Sequence, residues 1–289
     1  MDVIRSEKLS ATLERALATG ETAEFFDQLR RGSNLPGPRP NLDLARAVGA
    51  VIARREAGGD RLIADLTHDD DEFRRIVAAM TLAARSLATP AQGSDKRRAA
   101  ARVAEALAGL QELAEDPRHV VRAGIVEAVR MRLTTLGEPA VADLAAWTDG
   151  YLQAHIALEA LADKALLNTL PSGTEVLARL DEAFVLADES SRSAERTQGM
   201  RVLRDGMAAQ IAVFAARYPE TLAWLEQKTA SKRPESRTVV AEAISALRRS
   251  VISDTEAQRL GALLEASGKP RRDADRVVAG TRKRAKGRT

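Results

Sequence analysis

Four Glu-Ala-aliphatic triplets recur along this chain: Glu105-Ala106-Leu107, Glu127-Ala128-Val129, Glu159-Ala160-Leu161 and Glu242-Ala243-Ile244. Each lies in an Ala-rich segment of helical pattern, and the second and fourth follow a Pro-containing turn, with an Arg five residues upstream (Arg122, Arg237). A degenerate helical repeat constrains the fold more than any other feature here. Each repeat unit covers its apolar face only by stacking on its neighbours.

The residue types point the same way. Only nine residues are aromatic, β-branched runs are scarce, and Ala, Leu, Arg and Glu dominate, so local propensity favours helix almost throughout. The fold expected is all-α. The chain has no cysteine, which removes disulfides, thiolate catalysis and Cys-ligated zinc and is compatible with a reducing cytoplasm. Met1 to Leu17 lacks a continuous apolar signal region, and stretches such as Ile211 to Ala216 are far short of the roughly 20 residues needed to span a bilayer. A soluble, cytoplasmic protein with no membrane contact is expected.

Charge is unevenly distributed. Gly268 to Thr289 contains Lys269, Arg271, Arg272, Arg276, Arg282, Lys283, Arg284, Lys286 and Arg288 against Asp273 and Asp275, a net of +7. The whole chain is +3, so residues 1–267 carry −4. Arginines outnumber lysines 36 to 8. Two readings stand: guanidinium recognition of phosphate, or the codon usage of a GC-rich genome.

Asp2 to Arg31 reads as two amphipathic helices, with Ile4, Leu9, Leu13 and Leu17 on one side of the first and Phe25, Phe26 and Leu29 in the second. Gly32 to Pro40, with three prolines and two glycines, cannot continue a helix. The expected units are an N-terminal cap and linker (1–40), a helical array (41–267) and a basic tail (268–289). Within the array helices are expected at about 42–57, 60–67, 70–88, 95–114, 117–134, 138–147, 150–168, 173–187, 192–216, 219–230, 234–250 and 255–267, with another at 270–284. The short loops between them predict antiparallel pairs. Segment 117–134 is apolar over roughly 160°, wider than the stripe of a one-sided surface helix, so it is covered from more than one direction.

Leu113-Ala114-Glu115-Asp116-Pro117-Arg118-His119-Val120-Val121-Arg122-Ala123 resembles the turn and second helix of a HEAT repeat. Lys232-Arg233-Pro234-Glu235-Ser236-Arg237-Thr238-Val239-Val240-Ala241-Glu242-Ala243-Ile244 does so as well. In that family an Asp at the turn and an Arg on the second helix hold adjacent repeats together, which implies that role for Asp116, Arg122 and Arg237. The resemblance covers about 42–267 and implies an α-α superhelix, a right-handed solenoid of antiparallel helix pairs whose inner helices line a concave binding face. At the third triplet the Arg position holds Ala154 and the Val position Gln153, which interrupts the pattern.

No catalytic motif emerges. His68, His119 and His155 are isolated, with no second ligand at i+4, so no metal site is expected. Asp69-Asp70-Asp71-Glu72 lacks the spacing of a calcium loop and reads as a helix N-terminus. No phosphate-binding glycine loop or nucleophile elbow is present, so no cofactor is expected. The function expected is a non-enzymatic scaffold that binds a protein or peptide on its concave face. In the tail, Lys269, Arg271, Arg272, Arg282, Lys283, Arg284, Lys286 and Arg288 are candidates for nucleic-acid contact. The alternative is a DNA-binding protein similar to the HEAT-like alkylation-repair glycosylases, whose concave face combines basic residues with Trp and a catalytic Asp. Trp147, Asp149 and Trp224 are the residues that likeness singles out, by stacking a damaged base near a carboxylate.

Overall fold

The computed structural model describes residues 7–87 and 96–268. These are all-α, with no strand among them, and none of their helices is long and apolar enough to cross a membrane. Helices Glu7–Thr19 (α1) and Ala23–Gly32 (α2) form where the apolar spacing predicts, burying Leu9, Leu13, Leu17, Phe25 and Leu29. The Gly32 to Pro40 break folds back on itself: Asn41 donates to the Gly32 carbonyl (3.0 Å), and its side-chain oxygen then accepts from the Leu44 amide (3.1 Å) to start the next helix. The prolines interrupt the helix without isolating what precedes them. Phe25 and Leu29 belong to the same apolar core as Phe73 and Ile76, and the Arg74 guanidinium lies 4.3 Å over the Phe26 ring.

Leu42–Ala53 (α3), Ala57–Thr67 (α4), Glu72–Ser86 (α5), Lys96–Leu113 (α6) and His119–Leu136 (α7) follow. Asp71 caps α5 by accepting from the Arg74 amide (3.0 Å), the role its acidic cluster predicts. Glu138–Ala142 (α8), with Pro139 in its first turn, tightens into a 3₁₀ segment over Asp143–Asp149. The helix expected over 150–168 is two, Tyr151–Leu161 (α9) and Lys164–Thr169 (α10), because Asp163 accepts from the Leu166 amide (2.8 Å) and opens a new helix. Thr174–Glu189 (α11) precedes a short 3₁₀ turn at Ala194–Arg196. Thr197 caps Gln198–Arg217 (α12), so the helix expected from 192 begins later. Glu220–Lys228 (α13), Pro234–Arg248 (α14) and Asp254–Ser267 (α15) complete the described chain.

α3 packs on α5, α5 on α7, α7 on α9, α9 on α12, and α12 on α14. The flanking helices α4 and α6 cover α5, while α11 and the 143–149 segment cover α9. The central helices are accordingly apolar over most of their circumference. On α7, Val121, Ile125, Val126, Ala128, Val129 and Leu133 are all buried, as the wide arc predicts. The alanines of all four triplets, Ala106, Ala128, Ala160 and Ala243, are at most 3% exposed, which lets neighbouring helices approach closely.

Arginines join the helix ends. Helices α4, α9, α10, α11 and α15 have no basic residue in their own last turn. Each receives one from another element. Arg75 donates to the Thr67 carbonyl at the end of α4 (3.1 Å). Arg130 donates to Glu159 near the end of α9 (3.0 Å), and Arg217 to Leu167 in α10 (3.2 Å). Arg233 donates to Asp188 at the end of α11 (2.8 Å) and Arg237 to Leu264 in α15. The last carbonyls of a helix have no partner within it, and a guanidinium there also opposes the dipole, together worth about 1 kcal/mol per site.

Close approach of α3 to α5 depends on Gly49. A Cβ there would lie 2.9 Å from the Thr81 amide nitrogen and 3.0 Å from the Met80 carbonyl carbon, both backbone atoms that cannot rotate away. Helix propensity alone makes Gly49→Ala stabilising by about 1 kcal/mol. Packing reverses the sign: urea denaturation is expected to show a loss of about 1–3 kcal/mol.

Candidate functional site

Along α7, His119, Arg122, Ala123, Val126, Glu127 and Arg130 fall at the three- and four-residue spacing that places them on one stripe. His155 and Glu159 do the same on α9, and Val202, Asp205 and Gly206 on α12. The three stripes face one another across a cleft of about 510 Å³. Glu127 and Glu159 are the glutamates of the second and third triplets. In those two copies the alanine packs the core while the preceding glutamate faces the cleft.

Most of the positive charge in the cleft is committed to the protein itself. Arg130 pairs with Glu127 and donates to the Glu159 and Ala160 carbonyls, and Arg122 donates to the Asp116 and Pro117 carbonyls. Glu159 accepts from Gln210 (2.9 Å), a residue only 1% exposed whose Oε1 has no partner. Asp205 and His119 are exposed and make no ion pair or side-chain hydrogen bond among the described residues. The available charge in the cleft is therefore carboxylate, beside the apolar flanks of Val126 and Val202.

His155 is partly buried between these helices and its Nδ1 has no hydrogen-bond partner. Burial pushes its pKa down, with Arg122 and His119 acting in the same direction and Glu159 and Asp205 opposing them. Among the described residues no group of three or more His, Asp or Glu side chains is arranged to hold a metal ion. What the cleft offers is recognition by hydrogen bonds and charge along an apolar floor.

Asp116 has a fully buried carboxylate that accepts from Arg75 of α5 (2.6 Å) and from the Arg118 amide and guanidinium (2.9 and 2.6 Å). It ties the α6–α7 turn to α5. Arg122 and Arg237, each five residues before a triplet, make the same local contact, donating to carbonyls of the turn just before their own helix: Asp116 and Pro117 for the first, Ser231 (3.2 Å) for the second. Arg237 alone extends to a neighbouring helix, through Ser267 Oγ (2.7 Å) and Leu264 of α15.

The residues of the glycosylase-like alternative are not brought together around the cleft. Trp147 is 3% exposed and lines an apolar cavity against α6 and α7. Asp149 is exposed at the end of the 3₁₀ segment. Trp224 is 8% exposed, meets Phe184 edge to face at 5.6 Å, and donates from its indole to Asp181 (2.7 Å), which also pairs with Lys228. Trp224 is thus held by Phe184 and Asp181, while Trp147 is buried beside α6 and α7, and neither lines the α7–α9–α12 cleft. The tail residues Lys269, Arg271, Arg272, Arg282, Lys283, Arg284, Lys286 and Arg288 lie outside the described residues. Sequence reasoning passed over His119, His155, Glu127, Glu159 and Asp205 as a group. The stripe along α7 was readable from its spacing, but nothing local joins it to α9 and α12.

Two titrations follow. Burial alone would raise the Asp116 carboxyl, but hydrogen bonds from Arg118 and Arg75 overcome it and hold the group at about 2. Its contribution is complete above about pH 4 and is lost as the pH falls to about 2. Asp116→Asn is expected to cost about 3 kcal/mol at neutral pH by leaving two guanidinium groups without their carboxylate. The difference from wild type in denaturant midpoint should narrow across that acidic window. For His155 the sign is also toward acid lability: its pKa is lowered on folding, so below about pH 6.5 the unfolded chain binds the proton first and stability falls. His155→Gln should flatten that fall, and an imidazole NMR titration should find His155 titrating below the usual range of an exposed imidazole.

Comparison of the chain with protein-family models, with curated proteins and with solved structures finds no match.

Proposed function

We propose that this protein is a non-enzymatic α-solenoid of HEAT-like type that binds a protein or peptide along the cleft of α7, α9 and α12. The reading rests on one observation above others: these are three successive members of the series α3, α5, α7, α9, α12 and α14, and each gives the cleft one stripe of side chains. A stacked row of this kind is how repeat proteins create extended binding surfaces. The exposed Asp205, the glutamates Glu127 and Glu159 and the apolar edges of Val126 and Val202 suit a segment that carries a basic or amide donor beside a small apolar side chain. The basic tail, with its net +7, supports a separate salt-sensitive contact with nucleic acid through counterion release.

A photoreactive residue at Val202 in the full-length chain tests this. It is expected to capture a discrete protein, with capture lost in Asp205→Arg, an exposed substitution that should leave stability within about 0.5 kcal/mol. Deleting residues 269–289 should leave the cross-link intact while removing salt-dependent retention on duplex DNA. Equal capture by wild type and Asp205→Arg, or nucleic acid as the cross-linked species, would overturn the protein-binding assignment.

A further inference from the structure

Two of the central helices can be set in register with each other. Arg122 of α7 and Arg237 of α14 make the same contact with the turn before their helix, so positions counted from these two arginines correspond. On α7 the stripe that follows, Ala123, Val126 and Glu127, faces α9 and α12 across the cleft. The matching residues of α14 are Thr238, Ala241 and Glu242, and all three are exposed. Arg237, Thr238 and Ala241 instead line an open groove of about 350 Å³ against Leu264 and Glu265 of α15. The small side chains at 238 and 241 leave room for another helix to approach closely.

The chain leaves α15 at this groove. Lys232 donates to the Ser267 carbonyl (2.7 Å) and Arg237 to Ser267 Oγ (2.7 Å). Both cations are thereby committed, and the end of α15 is held beside Pro234, the first residue of α14. Glu242 and Glu265 make no ion pair or side-chain hydrogen bond among the described residues, so the free charge here is carboxylate. The 21 residues that follow, 269–289, lie outside the described residues. Their sequence matches what the groove lacks. Pro270 suits a first helical position, as Pro234 does in α14, and Ala274, Val277, Val278 and Thr281 fall at i, i+3, i+4 and i+7. Arg271, Arg272, Arg276 and Arg282 flank that stripe, against Asp273 and Asp275. Residues 270–284 number 15, as α14 does, and as a helix would run about 22 Å beside it.

We propose that residues 270–284 dock within the same molecule as a helix along the α14–α15 groove, parallel to α14. Ala274, Val277 and Val278 lie on Thr238 and Ala241, and the flanking arginines stand beside Glu242 and Glu265. The chain thus supplies the next member of the series α7, α9, α12 and α14. The far end of the seated helix sets Arg282, Lys283 and Arg284 level with Arg248 and Arg249 of α14, which makes a joint basic surface rather than a free arm. This goes beyond the partner assigned to the α7–α9–α12 cleft, and either assignment stands if the other fails.

Amide hydrogen exchange in the full-length protein at low salt tests the docking. Peptides covering 274–281 should exchange at least about tenfold more slowly than a free chain. Ala241→Arg, a change at an exposed position, should remove that protection and leave α7 and α9 unchanged, whereas a tail helix formed without docking would not respond to it. Val278→Asp should release the tail from the other side of the contact. The chain has no cysteine, so a full-length protein carrying Ala241→Cys and Val277→Cys can be joined with a short bismaleimide, and the product should be a cross-linked monomer. Free-chain exchange of 274–281 in the wild type, protection that survives Ala241→Arg, or a cross-linked dimer in place of the monomer would overturn the proposal.

Discussion

Every helix leaves its last carbonyls without partners inside the helix, and a protein made of many short helices meets that deficit repeatedly. This protein resolves it largely with arginine. Five helices whose own last turns lack a basic residue are completed by a guanidinium from another element, through Arg75, Arg130, Arg217, Arg233 and Arg237. A planar fork with five donors can serve a carbonyl and a carboxylate together, as Arg75 does for Thr67 and Asp116. Lysine, a point charge, cannot bridge them in that way. Part of the arginine excess is thus structural, a reading that neither phosphate recognition nor genome composition anticipates.

The apolar core and the arginine network depend on each other. Close packing of α3, α5, α7, α9 and α12 rests on small residues, the triplet alanines and Gly49 among them. That packing brings the ends of α4, α9, α10, α11 and α15 within reach of an arginine from another element. Asp116 is where both meet: its carboxylate is fully buried, yet two guanidinium groups keep it ionised well into acid. Interior charge of this kind persists only where its hydrogen bonds are satisfied. Two residues with an unpaired buried nitrogen, Arg132 and His155, line the apolar cavity and the cleft respectively.

The two surfaces of α7 show how a single helix serves different tasks. One stripe, from His119 to Arg130, carries the mixed charge of the open cleft, while Val129, Arg132 and Leu133 line the apolar cavity. The breadth of its apolar arc already says that α7 is covered on several sides. Its spacing likewise gives the stripe. The cavity, by contrast, needs α6 and the 143–149 segment in place. Pro139 signals the interruption at α8, but not that the following residues tighten into a 3₁₀ turn that carries Trp147 inward.

The sequence by itself determined the all-helical character, the break at Gly32 to Pro40, the capping role of the acidic cluster before α5 and the wide apolar arc of α7. These follow from propensity, proline geometry and periodicity, which act within a few residues. It also placed Arg122 and Arg237 in equivalent positions, and both make the same contact with the turn before their helix. Only the tertiary structure decided which helices adjoin, and hence that Glu127, Glu159 and Asp205 share one cleft, that the two tryptophans are enclosed in separate places, and that the first two helices share the core of the rest. Those outcomes depend on contacts between residues tens of positions apart, and neither periodicity nor propensity carries information over that distance.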